Sequence, residues 1–142
     1  SRCMEHGLLP LKAAGVTEHL ALIGAAAGRS LADPPGEHLY GREAARLQEL
    51  PGAQRWLWRD AESGQGGLSE AMVRFAVRHE MARSVEDVLA RRSRLLFLDA
   101  ARAAALADDV GGLLAEELGE GFDAAASADG LRTLAQRYAQ LP

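Results

Sequence analysis

The chain has 142 residues with a net charge of −4, and it is 48% hydrophobic and 25% charged. This composition excludes a disordered chain and is typical of a folded globular domain, while the acidic balance argues against a general nucleic-acid-binding protein. The single cysteine excludes an internal disulfide bond, and no apolar run approaches the ~20 residues that a membrane-spanning helix needs. Alanine, leucine, arginine and glutamate dominate, which predicts an all-α fold with a core of small aliphatic side chains.

Residues 1–35 show no clear opening element, because glycines and prolines break their apolar stretches. The run from Gly24 to Ser30 is similar to a phosphate-binding loop, but it has three residues between its glycines and Arg29 where that loop has lysine. We therefore expect residues 1–35 to be a linker-like segment that arrives from a preceding domain. Residues 36–142 are expected to form one helical domain.

Two elements are predicted before residue 69. Apolar residues recur at helical spacing from Glu37 to Leu50, and Pro51 ends this predicted helix. Trp56 and Trp58 lie two positions apart, so a helix would direct them to quite different sides. We expect a loop or short turn that one tryptophan fixes to the bundle, whereas an exposed pair would mark a partner surface.

The rest of the chain predicts helices that begin at capping residues. Serine and aspartate side chains can accept a hydrogen bond from the free backbone N–H groups of a first helical turn. The expected architecture is a compact orthogonal bundle of about six short helices. The helices predicted here are Glu70 to His79 after Ser69, Val85 to about Leu95 after Ser84, Leu96 to Leu106 with a break at Asp99, Asp108 or Asp109 to Leu118, and Gly130 to Gln140 after Asp129.

Arg92 falls on the apolar face of the helix that follows Ser84. A buried guanidinium needs a carboxylate partner or a route to water, and Glu80 borders the apolar face of the preceding helix. We predict a structural Glu80–Arg92 ion pair across the helix corner. In the alternative, Arg92 lies along the edge of the core and reaches outward. If the pair is buried, Arg92→Met should cost ~3–5 kcal/mol of stability.

The basic cluster from Arg91 to Arg94 has three interpretations. Asp87 and Arg91 are spaced for an ion pair within one helix, and Arg94 would remain for a contact with another domain. Arg94 is therefore a candidate for a contact with another domain. Anionic lipid headgroups are a second interpretation, which the nearby acids weaken, and the phosphate of a substrate is a third. The acids that follow Ala107 predict pairing with arginines of the same chain.

No catalytic, cofactor-binding or metal-ligating residue is predicted in this chain. His79 and Glu80 begin a pattern similar to the zinc-protease helix, but Arg83 stands where the second histidine ligand is needed. The sequence has no serine-hydrolase elbow and no strand that leads through G-x-G-x-x-G into a helix. We expect His79 to hydrogen-bond locally at a helix end.

A resemblance to a known family lies in the same helices. The pattern H-E-x-x-R-S-x-x-D-x-L-x-R-R-S-R runs from His79 to Arg94 and is followed by Leu98. Upstream, Leu39-Tyr40-Gly41 precedes Glu43. Together these residues resemble the C-terminal helical domain of FAD-dependent glycerol-3-phosphate dehydrogenase, over residues 36–120. The resemblance implies that Asp87, Arg91 and Arg94 are domain-contact candidates.

This resemblance implies that residues 36–142 are the C-terminal cap domain of an enzyme that oxidises sn-glycerol 3-phosphate to dihydroxyacetone phosphate. Electrons would pass to quinone, or to oxygen as in the related glycerol-3-phosphate oxidase. The full-length enzyme would carry FAD, this chain would carry no cofactor, and its partner would be the N-terminal flavin-binding domain of the same polypeptide. The enzyme would be cytoplasmic, peripherally associated with the inner membrane and without a nucleic-acid partner. The alternative is a free-standing helical interaction module without enzymatic activity.

Overall fold

The computed structural model describes residues 36–61 and 66–140. The predicted linker-like segment 1–35, including the run from Gly24 to Ser30, lies outside the described residues, so the boundary at residue 36 stays a prediction. Among the helices of the described ranges, none combines the length and the apolar character that crossing a membrane requires.

The described chain is largely helical, which confirms the predicted all-α class, and it adds a small two-stranded sheet. A 3₁₀ segment opens the described part, and a π-helical segment lies between the second and third α-helices. In chain order the elements are the 3₁₀ segment Glu37–Glu43, α1 Ala44–Leu47, β1 Trp56–Arg59, β2 Gly67–Ser69, α2 Glu70–Glu80, the π-helical segment Asp87–Arg92, α3 Leu95–Leu98, α4 Ala100–Ala105, α5 Ala107–Leu118 and α6 Ala124–Ala139.

Two predicted helix caps are confirmed. The Ser69 hydroxyl accepts a hydrogen bond from the Met72 N–H at 3.4 Å and begins α2. The Asp99 carboxylate accepts from the Arg102 N–H at 2.9 Å, which produces the predicted break and begins α4. In both cases a polar side chain satisfies a backbone donor that has no partner inside the helix.

The helix after Ser84 is shorter and wider than predicted. The Ser84 hydroxyl accepts from the Asp87 N–H at 3.1 Å, as capping requires, but the backbone then winds as a π-helix. The Ser93 N–H accordingly donates to the Val88 carbonyl, five residues earlier, at 2.9 Å. Arg94 follows with a left-handed φ of 60°, and this conformation ends the helix before the predicted position.

The last helix begins at a different aspartate from the predicted one. Asp123 accepts from the Ala126 N–H at 2.9 Å and caps α6, while Asp129 lies inside the helix and pairs with Arg132 at 2.7 Å. The alanines after Asp123 have the highest helix propensity, so the helix extends upstream of the expected start. Similarly, α5 begins at Ala107 rather than at the aspartates that follow it.

The segment predicted as a loop around the tryptophans is β1, which pairs antiparallel with β2. The Trp58 ring packs against the core, and the Arg102 guanidinium lies 5.0 Å from its centroid. Gly67 on the partner strand has a φ of +148°, and a Cβ there would lie 2.5 Å from the Trp58 carbonyl oxygen. Close strand pairing at this position therefore requires glycine.

The core is built mainly from leucine, valine and alanine, as the composition predicts. The helices α5 and α6 approach closely where Gly111 faces the Ala124 carbonyl, which a Cβ would meet at 3.2 Å. The largest fully buried side chains include Phe75, Leu89, Leu96, Leu114 and Leu131.

Arginines of α2 pair with acids of α5, which confirms the predicted pairing within the chain. The Arg74 guanidinium donates to both Glu116 and Glu117 at 2.6 Å. The Arg78 guanidinium donates to Glu117 through Nε and Nη2 at 2.6 and 2.7 Å. These bonds join two helices that are neighbours in the core.

Candidate functional site

The structure brings Glu80 and Arg92 together at the corner where α2 ends and the π-helical segment lies alongside it. Arg92 Nε stands 3.8 Å from Glu80 Oε2, and Arg92 Nη2 donates to the Glu80 backbone carbonyl at 2.6 Å. The arginine therefore satisfies one of the carbonyls left free at the C-terminus of α2. Its contact with the Glu80 carboxylate is longer than a hydrogen bond.

The expected burial of Arg92 is wrong. Its side chain is 44% exposed and the Glu80 side chain is 27% exposed, so the guanidinium reaches outward from the core edge. The reason is the π-helix, which has more residues per turn than an α-helix and rotates Arg92 away from the apolar face that α-helical spacing predicts. A partly exposed pair of this kind is worth about 1 kcal/mol or less, well below the range expected for a buried pair.

The upstream Tyr40 packs beside the same corner. It is 9% exposed and its ring meets the edge of Phe75 at 5.2 Å between centroids. Burial raises the pKa of the Tyr40 hydroxyl, and the nearby Glu80 charge raises it further against the effect of Arg92. Tyr40 therefore stays protonated at any physiological pH. The sequence shows the two halves of this corner as separate motifs, and only the fold shows that they meet.

The Glu80 carboxylate is partly buried, and its environment disfavours the ionised form. Burial raises its pKa above the ordinary 4.5, although Arg92 lowers it, and Glu43 adds a further increase. Its Oε2 atom is buried and receives no hydrogen bond in the described part of the chain. The predicted partner Arg92 is thus present at ion-pair distance, but it compensates the Glu80 charge only in part.

His79 lies on the adjoining side of the corner, and its polar contact is with a residue of α1 rather than the local one that the sequence predicts. Its ring packs against Phe75 at 4.7 Å between centroids, and its Nδ1 lies 3.3 Å from Arg46 Nη2. Arg46 also pairs with Glu43, three residues earlier, at 2.6 Å, and its contact with His79 links α1 to the end of α2.

Two of the three domain-contact candidates are engaged within their own helix. Arg91 pairs with Asp87 and also with Glu86, the latter at 2.7 Å. Burial raises the pKa of Asp87, but hydrogen bonds from the Arg83 N–H, the Ser84 hydroxyl and Arg91 outweigh it and hold the pKa below its ordinary value. A contact of Asp87 or Arg91 with another domain stays a prediction.

Arg94, the third candidate, is exposed and has no hydrogen bond or ion pair from its side chain within residues 36–61 and 66–140. Its backbone takes the left-handed conformation, which costs a non-glycine residue ~1–2 kcal/mol. Two large apolar side chains follow it on α3, with Phe97 56% exposed and Leu98 60% exposed. Phe97 meets the Tyr138 ring of α6 edge-on at 5.3 Å, yet both rings remain open to solvent.

Comparison with known families gives a match over residues 15–125 to the C-terminal domain of alpha-glycerophosphate oxidase. The chain belongs to this family. The match includes the whole corner and all of α3, whereas most of α6 lies beyond it. The family resemblance predicted from the sequence is therefore confirmed. No curated protein and no solved structure matches the chain.

The described residues of this oxidase C-terminal domain form neither a metal-binding cluster nor a pocket lined by catalytic groups. No three histidine, cysteine, aspartate or glutamate side chains in the described ranges are grouped so that they could hold a metal ion. A shallow pocket of about 200 Å³ lies between α4 and α6, lined by Ala100, Ala101, Ala104, Arg132, Ala135, Gln136 and Ala139. This apolar lining supplies no acid, base or nucleophile aimed at a common point.

Proposed function

We propose that this chain is the C-terminal domain of a flavoenzyme that oxidises sn-glycerol 3-phosphate to dihydroxyacetone phosphate. The observation that carries the proposal is the family match over residues 15–125, together with the motif from His79 to Arg94. The chain's own role is structural, as a helical domain that packs against the flavin-binding domain of the same polypeptide.

FAD belongs to the preceding domain in this proposal. The described strands form an antiparallel hairpin, and the described helices follow no glycine-rich turn from a parallel strand, so these residues do not fit a flavin or its phosphates. When bound in the full-length enzyme, FAD would supply the two-electron acceptor for oxidation of the secondary alcohol. No step of the reaction is assigned to residues of this chain.

The electron acceptor and the location complete the proposal. Quinone is the proposed acceptor, in a cytoplasmic enzyme that associates peripherally with the inner membrane. Oxygen is the alternative acceptor, as for the oxidase after which the family is named. The two acceptors give different products, because oxygen yields hydrogen peroxide and quinone yields quinol.

The test uses the purified full-length enzyme. Glycerol 3-phosphate should bleach the flavin absorbance in the absence of oxygen, and glycerol, which lacks the phosphate, should not. Re-oxidation with oxygen or with a soluble quinone then identifies the acceptor. A flavin that glycerol 3-phosphate leaves oxidised would reject the reaction. Finding this chain as a separate polypeptide, with no flavin domain bound, would favour the interaction-module alternative.

A further inference from the structure

One exposed surface of the domain consists of Arg94, Phe97, Leu98 and Tyr138 and is called here the aromatic surface. Its three apolar side chains are 56%, 60% and 38% exposed, in the order Phe97, Leu98 and Tyr138. Aromatic residues and arginine are the types most enriched where proteins bind one another, and they carry most of the binding energy there.

We infer that the aromatic surface docks onto the flavin-binding domain, with an apolar contact on Phe97 and Leu98 and a carboxylate of that domain opposite Arg94. This inference rests on the proposed function, and it assigns the residues of the contact between the two domains.

The charge of Arg94 selects the kind of partner. Asp99, the next acid along the chain after Arg94, caps α4 and pairs with Arg102 at 2.9 Å, so its charge is engaged within the chain. A two-fold dimer that paired the aromatic surface with itself would bring two Arg94 cations together, and the four described residues of this surface include no carboxylate. A different protein that places a carboxylate opposite Arg94 would compensate this positive charge, which a second copy of the surface would not.

A lipid surface is the less favoured occupant. Anionic headgroups attract clusters of several basic residues, whereas the aromatic surface has a single arginine, without a side-chain partner among the described residues, on a chain with a net charge of −4. By contrast, membership in a family of oxidase C-terminal domains provides a covalently attached protein partner. The attachment raises the effective concentration of that partner, so even a small contact is occupied.

The left-handed backbone at Arg94 determines which substitution can remove the charge without disturbing the fold. Asparagine tolerates the left-handed conformation, so Arg94→Asn removes the charge without adding backbone strain. Phe97→Ser removes the most exposed aromatic ring. Met81→Asn is the matched control, because Met81 has the same φ of 60° and is 78% exposed but does not belong to the aromatic surface.

The measurement is hydrogen–deuterium exchange of the backbone amides of α3, compared between the full-length flavoenzyme and the 142-residue chain. Docking predicts at least about tenfold slower exchange in the full-length enzyme. Arg94→Asn and Phe97→Ser should remove this difference, and Met81→Asn should retain it. Equal exchange rates in the two wild-type proteins would overturn the inference. So would a difference that Arg94→Asn and Phe97→Ser leave unchanged.

Two further outcomes would assign the surface to another occupant. Sedimentation of the wild-type chain as a dimer, lost in Phe97→Ser, would overturn the inference in favour of a second copy. Binding to phosphatidylglycerol vesicles, lost in Arg94→Asn, would overturn it in favour of lipid. The proposed reaction is judged separately by flavin reduction with glycerol 3-phosphate, so slow exchange in an enzyme inactive on this substrate would reject the reaction and keep the docking.

Discussion

Replacing Glu117 by glutamine removes the anion that joins α2 to α5. The carboxylate accepts three short hydrogen bonds from Arg74 and Arg78, and its side chain is only 8% exposed. Hydrogen bonds from Arg78 hold the pKa of Glu117 below the ordinary 4.5 against the effect of burial, and those from Arg74 add to them. The ionised form is therefore the one that stabilises the fold.

The expected magnitude follows from what the substitution leaves behind. Breaking a buried ion pair costs ~3–5 kcal/mol when the remaining charge has no other partner. Here the Arg78 side chain is 41% exposed and can turn to water, and Arg74 keeps its bond to Glu116 at 2.6 Å. We therefore expect Glu117→Gln to lower the free energy of unfolding by about 2–3 kcal/mol.

Urea unfolding of the wild type and two variants gives the measurement. Glu116→Gln is the matched control, because Glu116 is 60% exposed and its loss leaves Arg74 paired with Glu117, so its cost should stay below about 1 kcal/mol. The pH dependence has a definite sign. Since the pKa of Glu117 is depressed in the folded state, its contribution is complete above about pH 4.5 and is lost as the pH falls through the folded pKa.

The difference in stability between the wild type and Glu117→Gln should thus shrink in acid. The other carboxylates are common to both proteins and cancel in this comparison. A cost no larger than that of Glu116→Gln would refute the reasoning. A difference that stays constant from about pH 6 to about pH 3 would refute it as well, because the ionised carboxylate could not then be its source.

Three more predictions follow from the corner and the glycines of α5. Arg92→Met should cost about 1 kcal/mol or less in urea unfolding, because its charge is already partly solvated; a loss above about 3 kcal/mol would restore the buried pair. Glu80→Gln should match or exceed wild-type stability by up to about 1 kcal/mol near neutral pH. Because the pKa of Glu80 is raised, ionisation costs stability, so this gain should disappear as the pH falls below 4.5. Gly112→Ala should raise stability by about 0.5–1 kcal/mol, because a Cβ there meets nothing within 4 Å. Gly111→Ala should gain less, since its Cβ would press on the Ala124 carbonyl at 3.2 Å, and equal gains would contradict this packing.

Local signals explain what the sequence predicts well. Ser69 and Asp99 cap the helices that follow them because the capping bond joins residues three positions apart and depends on little else. The start of α6 is harder, because Asp123 and Asp129 are both chemically able to cap. The choice between them depends on the alanine-rich segment that separates them, where helix propensity extends the helix to the earlier aspartate.

Non-local signals explain what the sequence does not predict. The three residues of β2 form a strand only because they pair with β1, about ten residues earlier in the chain. No alternating pattern of apolar and polar residues marks so short a segment. At the corner, the α-helical period places Arg92 on the apolar face, but the π-helix changes that period. The contact of Tyr40 with Phe75 likewise joins separate motifs that only the fold brings together.

In the described part of the chain, the segment from Glu80 to Arg94 contains both non-glycine residues with left-handed backbone and one of the three buried polar side-chain atoms that lack a hydrogen bond. Glu80 loses hydration without a full hydrogen-bond partner, and Met81 and Arg94 both take left-handed backbone that glycine would adopt without strain. Met81 is the C-cap of α2, where its N–H donates to the Ala76 carbonyl, whereas no side-chain hydrogen bond caps α3 at Arg94. Strained residues persist where the surrounding structure over-determines them, and they cluster at sites of function. Met81 thus has a role within the fold, whereas Arg94, at the end of the segment that resembles the family motif, is the position where the inferred contact with the flavin-binding domain can be tested.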